Sequence, residues 1–151
     1  MSLVRQEAAR YKILLVEDSE DDALITQKAL QRAQVPARVQ WVKSGEECLA
    51  FLRQNPPYQD AERPDLVLLD LKLPLMDGRA VMREIVIDPE LQTIPVIVLS
   101  TSQAPDDIAD MYRLRCNSYI VKSMEFAAFV RTISVCSQYW FGAVELPVVD
   151  A

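Results

Sequence analysis

Histidine is absent from this 151-residue chain, and cysteine is scarce. Without an imidazole the chain has no histidine general base, no histidine-ligated metal and no phosphohistidine of its own, so any phosphohistidine must come from a partner. The three cysteines, Cys48, Cys116 and Cys136, form no CxxC pair. An odd, unpatterned set of this kind is typical of reduced thiols in a cytoplasmic protein.

Basic residues and long apolar runs are also in short supply. The chain has 16 lysines and arginines against 22 aspartates and glutamates, a net charge of −6, whereas a nucleic-acid binder presents a basic face to the phosphates. The longest apolar runs, such as residues 95–99, have the length of a strand and fall far short of a bilayer span. The N-terminus has no signal-like apolar segment. We therefore expect a cytoplasmic protein that binds neither nucleic acid nor a membrane.

What the chain does contain is an alternation of short apolar runs and amphipathic segments. The runs are rich in β-branched residues, as in buried parallel strands, and cover residues 12–16, 39–42, 66–69, 96–99 and 119–121. Helix-start signals follow the first four runs, at Ser19, Ser44, Asp77 and Pro105. The last segment carries apolar residues at helical spacing. This pattern predicts an α/β fold, a doubly wound, five-stranded parallel sheet with five helices in one domain.

Polar residues stand at four of the five predicted strand ends. They are Glu17 and Asp18, then Asp70, then Ser100, Thr101 and Ser102, and finally Lys122. In an open α/β sheet the ligand site lies outside the carboxyl ends of the strands, so we expect these side chains to converge on one crevice. Each alone is also explained as a helix cap or a solvated charge. Their joint occurrence in chain order favours a site.

The carboxylates in this crevice call for a cation, because closely packed negative groups repel one another. Oxygen ligands favour a hard divalent ion, Mg²⁺, with Mn²⁺ as the alternative. The candidate ligands are the carboxylates of Glu17, Asp18 and Asp70 and the backbone carbonyl of Lys72. Such a site suits phosphoryl transfer, in which Asp70 attacks phosphorus, Lys122 neutralises charge and Ser100 donates a hydrogen bond.

Four stretches of the chain resemble the receiver domains of two-component response regulators. They are ILLVEDSEDD (13–22), LVLLDLKLPLMDG (66–78), PVIVLSTS (95–102) and NSYIVKS (117–123). The most specific is the Asp-x-x-x-Pro-x-x-Asp-Gly run that begins at Asp70. The resemblance covers residues 12–138 and implies the flavodoxin-like receiver fold with strand order 2-1-3-4-5. It leaves an N-terminal extension (1–11) and an apolar C-terminal tail (139–151).

The resemblance also implies a role for the chain and its acidic residues. Asp70 corresponds to the phosphoacceptor, Glu17 and Asp18 to the acidic pair, and Lys122 to the receiver lysine. A receiver is a regulator rather than an enzyme. It takes a phosphoryl group from a histidine kinase and signals to a downstream protein or a phosphotransfer partner.

Two further residues correspond to the switch of a receiver. Ser100 is the switch hydroxyl, which is drawn toward the added phosphoryl oxygens, and Tyr119 is the switch aromatic. Inward movement of the loop after strand four is expected to let Tyr119 pass from an exposed to a buried position. The change is a two-state population shift biased by new contacts at the site.

Departures from the receiver pattern fall next to the site. Ser123 follows Lys122 where receivers usually have a proline with a cis bond. A non-proline cis bond costs about 3 kcal/mol, which favours a trans bond here and a different placement of Lys122. Thr101 stands where a small residue is common, and Lys72 lies two residues after the phosphoacceptor, so we predict that both slow the loss of the phosphoryl group. Ser102 is a further modulating position.

The C-terminal tail resembles small regulators that pair with phytochrome-type histidine kinases, chiefly through Tyr139 and Trp140. Its apolar residues are Tyr139, Trp140, Phe141, Val144, Leu146, Val148 and Val149. A monomer rarely exposes so much apolar surface. The tail therefore either folds back on its own domain or covers a partner in a two-fold dimer, and we favour the homodimer.

Three alternatives are open at this point. A haloacid-dehalogenase-type phosphatase needs a second acid two residues after its nucleophile, where this chain has Lys72. A nucleotide-binding α/β domain needs a glycine-rich turn after its first strand, where this chain has the acidic residues 17–20. A pseudo-receiver that never takes phosphate and acts as an interaction module is favoured by Ser123 and opposed by the intact acidic set.

Overall fold

Five parallel strands form one sheet in the order β2-β1-β3-β4-β5 within residues 10–148, the part of the chain that the computed structural model describes. The strands are β1 (Tyr11–Val16), β2 (Ala37–Val42), β3 (Leu66–Asp70), β4 (Val96–Ser100) and β5 (Ser118–Val121). The predicted strand order is confirmed, and each strand is one or two residues longer than predicted. Residues 1–9 of the predicted N-terminal extension and Val149 of the tail lie outside the described residues.

The helices are α1 (Glu20–Arg32), α2 (Gly45–Leu52), α3 (Gly78–Ile87), α4 (Pro105–Arg113) and α5 (Phe126–Gln138). Side-chain caps begin the first three, as the sequence predicts. Ser19 Oγ accepts a hydrogen bond from Asp22 N at 3.2 Å, and Ser44 Oγ accepts one from Glu47 N at 3.1 Å. These contacts satisfy backbone N–H groups that have no partner inside the helix. No helix among the described residues is long and apolar enough to cross a membrane.

The sheet is covered on both faces, as the near-continuous apolar runs predict. Alternate strand residues point to opposite faces, so two separate clusters form. One packs against α2, α3 and α4 and includes Leu14, Leu69, Val98, Phe51, Met82 and Met111. The other packs against α1 and α5 and includes Leu15, Leu68, Leu99, Ala23, Phe129 and Ile133. The two clusters hold β1, β3 and β4 rigidly at the centre, and these strands carry most of the predicted site.

Gly78 brings the start of α3 directly against the end of β3. Its N–H donates to the carbonyl of Leu71 at 2.8 Å. A Cβ atom at this position would lie 2.9 Å from the carbonyl oxygen of Asp70. Any larger residue would therefore push α3 away from the predicted phosphoacceptor, which explains the Asp-Gly end of the motif.

The chain continues past α5 as a π-helical turn, Tyr139–Ala143. Trp140 and Phe141 pack against the α1 and α5 cluster. The ring of Phe141 stacks on Tyr11, with centroids 4.4 Å apart. The first part of the predicted tail thus folds back on its own domain. Trp140 and Phe141 are partly buried there, and their contribution to a dimer stays a prediction.

Candidate functional site

Three carboxylates meet at the carboxyl edge of the sheet. Glu17 and Asp18 follow β1, and Asp70 ends β3, and one oxygen of each lies within 4.8 Å of the other two. Glu17 is buried, with 1% of its surface exposed, whereas Asp70 is partly buried and Asp18 is exposed. Mg²⁺ holds oxygen ligands at about 2.1 Å, so opposite ligands lie about 4.2 Å apart. The separations of the three oxygens are close to that span, so the site could hold a divalent ion.

Lys122 follows β5 and places its ammonium group between two of these carboxylates. Its Nζ donates to Glu17 Oε1 at 2.6 Å and lies 3.7 Å from Asp70 Oδ2. The Lys122–Ser123 bond is trans, because the cis bond found among the described residues is Pro56–Pro57. The predicted trans bond is confirmed, but the expected displacement of Lys122 is wrong. The lysine reaches the site without a cis turn.

The charges in the crevice act on one another. Burial lowers the pKa of Lys122, but the hydrogen bond to Glu17 and the charge of Asp70 outweigh it, so the pKa lies above its ordinary value. Burial raises the pKa of Glu17, and Lys122 opposes that rise. Lys122 is therefore protonated at neutral pH. Three carboxylates face one ammonium group, and the excess negative charge suits a divalent cation.

The predicted switch residues lie in and beside the loop after β4. Ser100 is buried, and its Oγ accepts a hydrogen bond from Ser102 N at 3.1 Å. The hydroxyl of Tyr119 donates to the carbonyl of Ser102 at 2.9 Å. Tyr119 is partly buried and packs against the α2, α3 and α4 cluster. The prediction of an exposed Tyr119 is thus wrong for this structure.

The two predicted modulating residues border the crevice from the solvent side. Lys72 and Thr101 are both exposed. Lys72 N donates to Asp70 Oδ1 at 3.3 Å, so the loop after β3 wraps around the carboxylate. Their effect on the loss of the phosphoryl group stays a prediction.

Three residues near the site escaped the sequence reasoning. Trp41 Nε1 donates to the carbonyl of Glu17 at 2.7 Å. Arg79 and Asp107 pair at 2.6 Å beside the loop after β4. The sequence does show a tryptophan in a predicted strand, Trp41, and an arginine directly after the Asp-Gly motif, Arg79. Their hydrogen-bond partners, however, depend on strand register and helix packing, which the sequence alone does not give.

Comparison with known proteins agrees with this geometry. The model of the response regulator receiver domain matches residues 13–134. The chain belongs to the receiver domain family. The receiver's role is that of a phosphoacceptor in two-component signalling, which implies a histidine kinase as partner. The match supports this role over the phosphatase, nucleotide-binding and pseudo-receiver alternatives.

The relatives of this receiver include response regulators of similar length, and one of them is described as a phytochrome response regulator. It is 38% identical to the response regulator Rcp1 of Synechocystis over 135 residues, which are 89% of this chain and 92% of Rcp1. The structure of the phosphorylated cyanobacterial phytochrome response regulator RcpA is 45% identical, with a TM-score of 0.86 over 93% of this chain and 100% of that one. The Mn²⁺-bound form of Rcp1 is 38% identical, with a TM-score of 0.83 over 91% of this chain and 99% of that one.

Proposed function

We propose that Asp70 is the residue that accepts the phosphoryl group. The observation that carries this proposal is the approach of three carboxylate oxygens to within 4.8 Å of one another, with Lys122 Nζ 3.7 Å from Asp70. Asp70 is only partly buried, so a phosphoryl donor can approach it, whereas Glu17 is enclosed. Among the three acids, Asp70 therefore combines access with a neighbouring cation.

We propose Mg²⁺ as the ion of this site, with Mn²⁺ as a substitute. Glu17, Asp18 and Asp70 would hold it, together with the backbone carbonyl of Lys72. The all-oxygen donor set is the one that Mg²⁺ prefers, and the Mn²⁺-bound form of Rcp1 supports a divalent ion. When bound, the ion supplies positive charge to the carboxylates and to the transferring phosphoryl group.

Each residue of the crevice has a separate task in the transfer. An oxygen of Asp70 attacks phosphorus in line and forms the new O–P bond. The P–N bond to the imidazole of the kinase histidine breaks, and its electron pair leaves with the imidazole. Lys122, already protonated, lies close enough to turn from Glu17 toward a phosphoryl oxygen and neutralise its charge.

The phosphoryl group then drives the switch. It adds about −1.5 to −2 charges and strong acceptor oxygens, and the Ser100 hydroxyl turns from Ser102 N to donate to one of them. Tyr119, whose hydroxyl bonds the carbonyl of Ser102, follows the movement of this loop and becomes more deeply buried. The surface that changes comprises α4, β5 and α5.

We place this regulator in the cytoplasm, in a phosphorelay fed by a phytochrome-type histidine kinase. The support is the similarity to RcpA, which is described as a cyanobacterial phytochrome response regulator. We propose that it acts as a regulator rather than an enzyme, through a downstream protein or phosphotransfer partner. The net charge of −6 supports the absence of nucleic-acid and membrane binding.

We also propose a homodimer, in which residues 12–138 form the receiver and the tail from residue 139 contributes to the contact. Tyr139 is 53% exposed, Val135 67% and Val148 90%. Exposed apolar side chains at the end of one chain favour burial against a second copy. A molar mass that stays that of one chain over a wide concentration range, with and without phosphorylation, would refute the dimer.

To test the phosphoacceptor assignment, the protein is incubated with acetyl phosphate and Mg²⁺, and its intact mass is then measured by mass spectrometry. We expect an increase of one phosphoryl group in the wild type and in D60N, which changes an exposed aspartate of the loop before β3. D70N should gain nothing. An equal adduct in D70N would place the phosphoryl group elsewhere. Transfer from a phytochrome kinase, scored by its rate against other kinases, tests the pathway.

A further inference from the structure

A chain of side-chain contacts ties the loop after β4 to two helices, outside the carboxylate crevice. Ser102 Oγ donates to Asp107 Oδ2 at 2.5 Å. Asp107 Oδ1 in turn accepts from Arg79 Nη2 at 2.6 Å. Arg79 stands in the first turn of α3 and Asp107 in the first turn of α4. The loop is thus held from both sides by one continuous network, which we call the Arg79–Asp107–Ser102 latch.

One end of the latch contacts both residues of the proposed switch. Ser102 N donates to Ser100 Oγ at 3.1 Å, and the carbonyl of Ser102 accepts from the Tyr119 hydroxyl at 2.9 Å. Ser100 Oγ moves toward a phosphoryl oxygen either together with Ser102 or by breaking this contact. Ser102 Oγ is in turn bonded to Asp107, so a displacement of Ser102 acts on the latch. The resting position of the switch therefore depends on the latch.

The other end of the latch is anchored on the loop of Asp70. Gly78, the residue before Arg79, bonds Leu71 at 2.8 Å and leaves no room for a Cβ beside the carbonyl of Asp70. The backbone at the start of α3 is therefore fixed beside Asp70, and only the side chain of Arg79 can adjust when the loop after β4 moves. The side chains of Arg79 and Asp107 are each 25% exposed, so their pairing is less screened than that of a fully solvated pair.

The charge state of the latch is secure at neutral pH. The hydrogen bond from Ser102 and the guanidinium of Arg79 hold the pKa of Asp107 below its ordinary value. Asp107 is thus a carboxylate and accepts from both partners. Arg79 also lies 3.3 Å from Asp110, which keeps its guanidinium directed at α4.

We propose that Arg79 and Asp107 are positioning residues for the phosphorylation of Asp70. Acting through Ser102, they hold the Ser100 hydroxyl in its resting position and set the fraction of molecules that are ready to receive the phosphoryl group. The inference rests on the proposed function, because it takes Asp70 as acceptor and Ser100 as switch hydroxyl. A residue that stabilises the resting state lowers the population of the competent state by the same factor.

The test compares D107N and R79Q with the wild type in the rate of labelling by acetyl phosphate at saturating Mg²⁺. We expect both variants to react about three- to tenfold faster, as removal of a contact worth about 1 kcal/mol predicts. The two substitutions change the net charge in opposite directions. A common acceleration therefore cannot arise from electrostatic steering of the anionic donor. R79K, which keeps the charge, should fall between R79Q and the wild type.

R32Q is the matched control. Arg32 lies in the last turn of α1 and is exposed, and no hydrogen bond or ion pair joins it to a residue of the latch within the described residues. Its labelling rate should equal that of the wild type. If D107N or R79Q fails to fold, S102A gives the same expected acceleration through loss of the hydroxyl alone.

A second readout separates positioning from general loosening. In unphosphorylated D107N and R79Q, the amide NMR signal of Ser102 should shift along the line from resting to phosphorylated wild type. In R32Q it should not shift. If D107N and R79Q are labelled at rates within twofold of the wild type and the Ser102 signal does not move, the latch proposal is overturned. The proposed function still stands in that case, provided that the wild type is labelled and D70N is not. Absence of labelling in the wild type would overturn both.

Discussion

The ammonium nitrogen of Lys122 lies 2.6 Å from Glu17 Oε1 but 3.7 Å from Asp70 Oδ2. In the resting site the lysine thus balances the carboxylate that is buried and leaves the accessible one more open to attack. The close contact with Lys122 explains how a crevice with three acidic side chains can hold a buried glutamate, Glu17. It also predicts how the site responds when the lysine is removed.

Lys122→Met should destabilise the protein by about 3 kcal/mol, because breaking a buried ion pair leaves a buried charge without its partner. Mg²⁺ should restore more stability to this variant than to the wild type, since the ion takes over the neutralisation of Glu17. Urea unfolding with and without Mg²⁺ measures both effects. Lys28→Met, on the exposed surface of α1, should change neither value. Equal Mg²⁺ effects in K122M and wild type would contradict this account.

Trp41 should report on the occupancy of the ion site. Its indole N–H donates to the carbonyl of Glu17 at 2.7 Å, so an ion on the Glu17 carboxylate changes the electric field at the ring. Titration with Mg²⁺ should change the tryptophan fluorescence of the wild type and of W140F, and leave that of W41F unchanged. A signal that survives in W41F and disappears in W140F would show that the ion binds elsewhere.

Lys72 and Thr101 should prolong the phosphorylated state. Both residues are exposed and lie in the loops that follow β3 and β4, at the edge of the sheet where Asp70 stands. Replacing both by alanine should speed loss of the phosphoryl group several-fold, read from the decay of the phosphorylated mass after the donor is removed. Gln103→Ala, an exposed change in the same loop, serves as control. No acceleration in the double variant would count against this role.

Cys48 should make stability depend on alkaline pH. Burial raises its pKa to about 12, whereas an unfolded thiol titrates near about 8.5. Above pH 8.5 the unfolded chain loses this proton and the native protein keeps it, so the native state binds more protons and its stability falls as the pH rises. Urea unfolding between pH 8.5 and 10 should show a steeper decline for wild type than for C48A. Parallel declines would exclude the thiol as the cause.

Phe141 should contribute to stability although it lies beyond α5. Its stacking on Tyr11 and its packing on the α1 and α5 cluster predict that F141A loses about 1–3 kcal/mol. Val148 is 90% exposed, so V148A should unfold at the wild-type urea concentration. Equal midpoints for F141A and wild type would mean that the tail does not dock in solution.

Much of this protein was readable from its residues alone. Apolar runs of strand length, helix-start signals such as Ser19 and Asp77, and the Asp70 motif together predict the sheet, its order and the edge at which the polar residues gather. These features are local or follow from the rule that parallel strands present their carboxyl ends on one side. Glu17, Asp18, Asp70 and Lys122 therefore come together as predicted.

Tertiary structure alone decided the contacts that depend on packing between distant segments. The sequence could not show that Trp41 bonds Glu17, that Arg79 reaches Asp107, or that Phe141 stacks on Tyr11. Nor could it show that Tyr119 already lies partly buried, or that Lys122 reaches Glu17 through a trans bond. Local patterns specify which elements form, whereas side-chain partners depend on the register and helix packing that the whole chain sets.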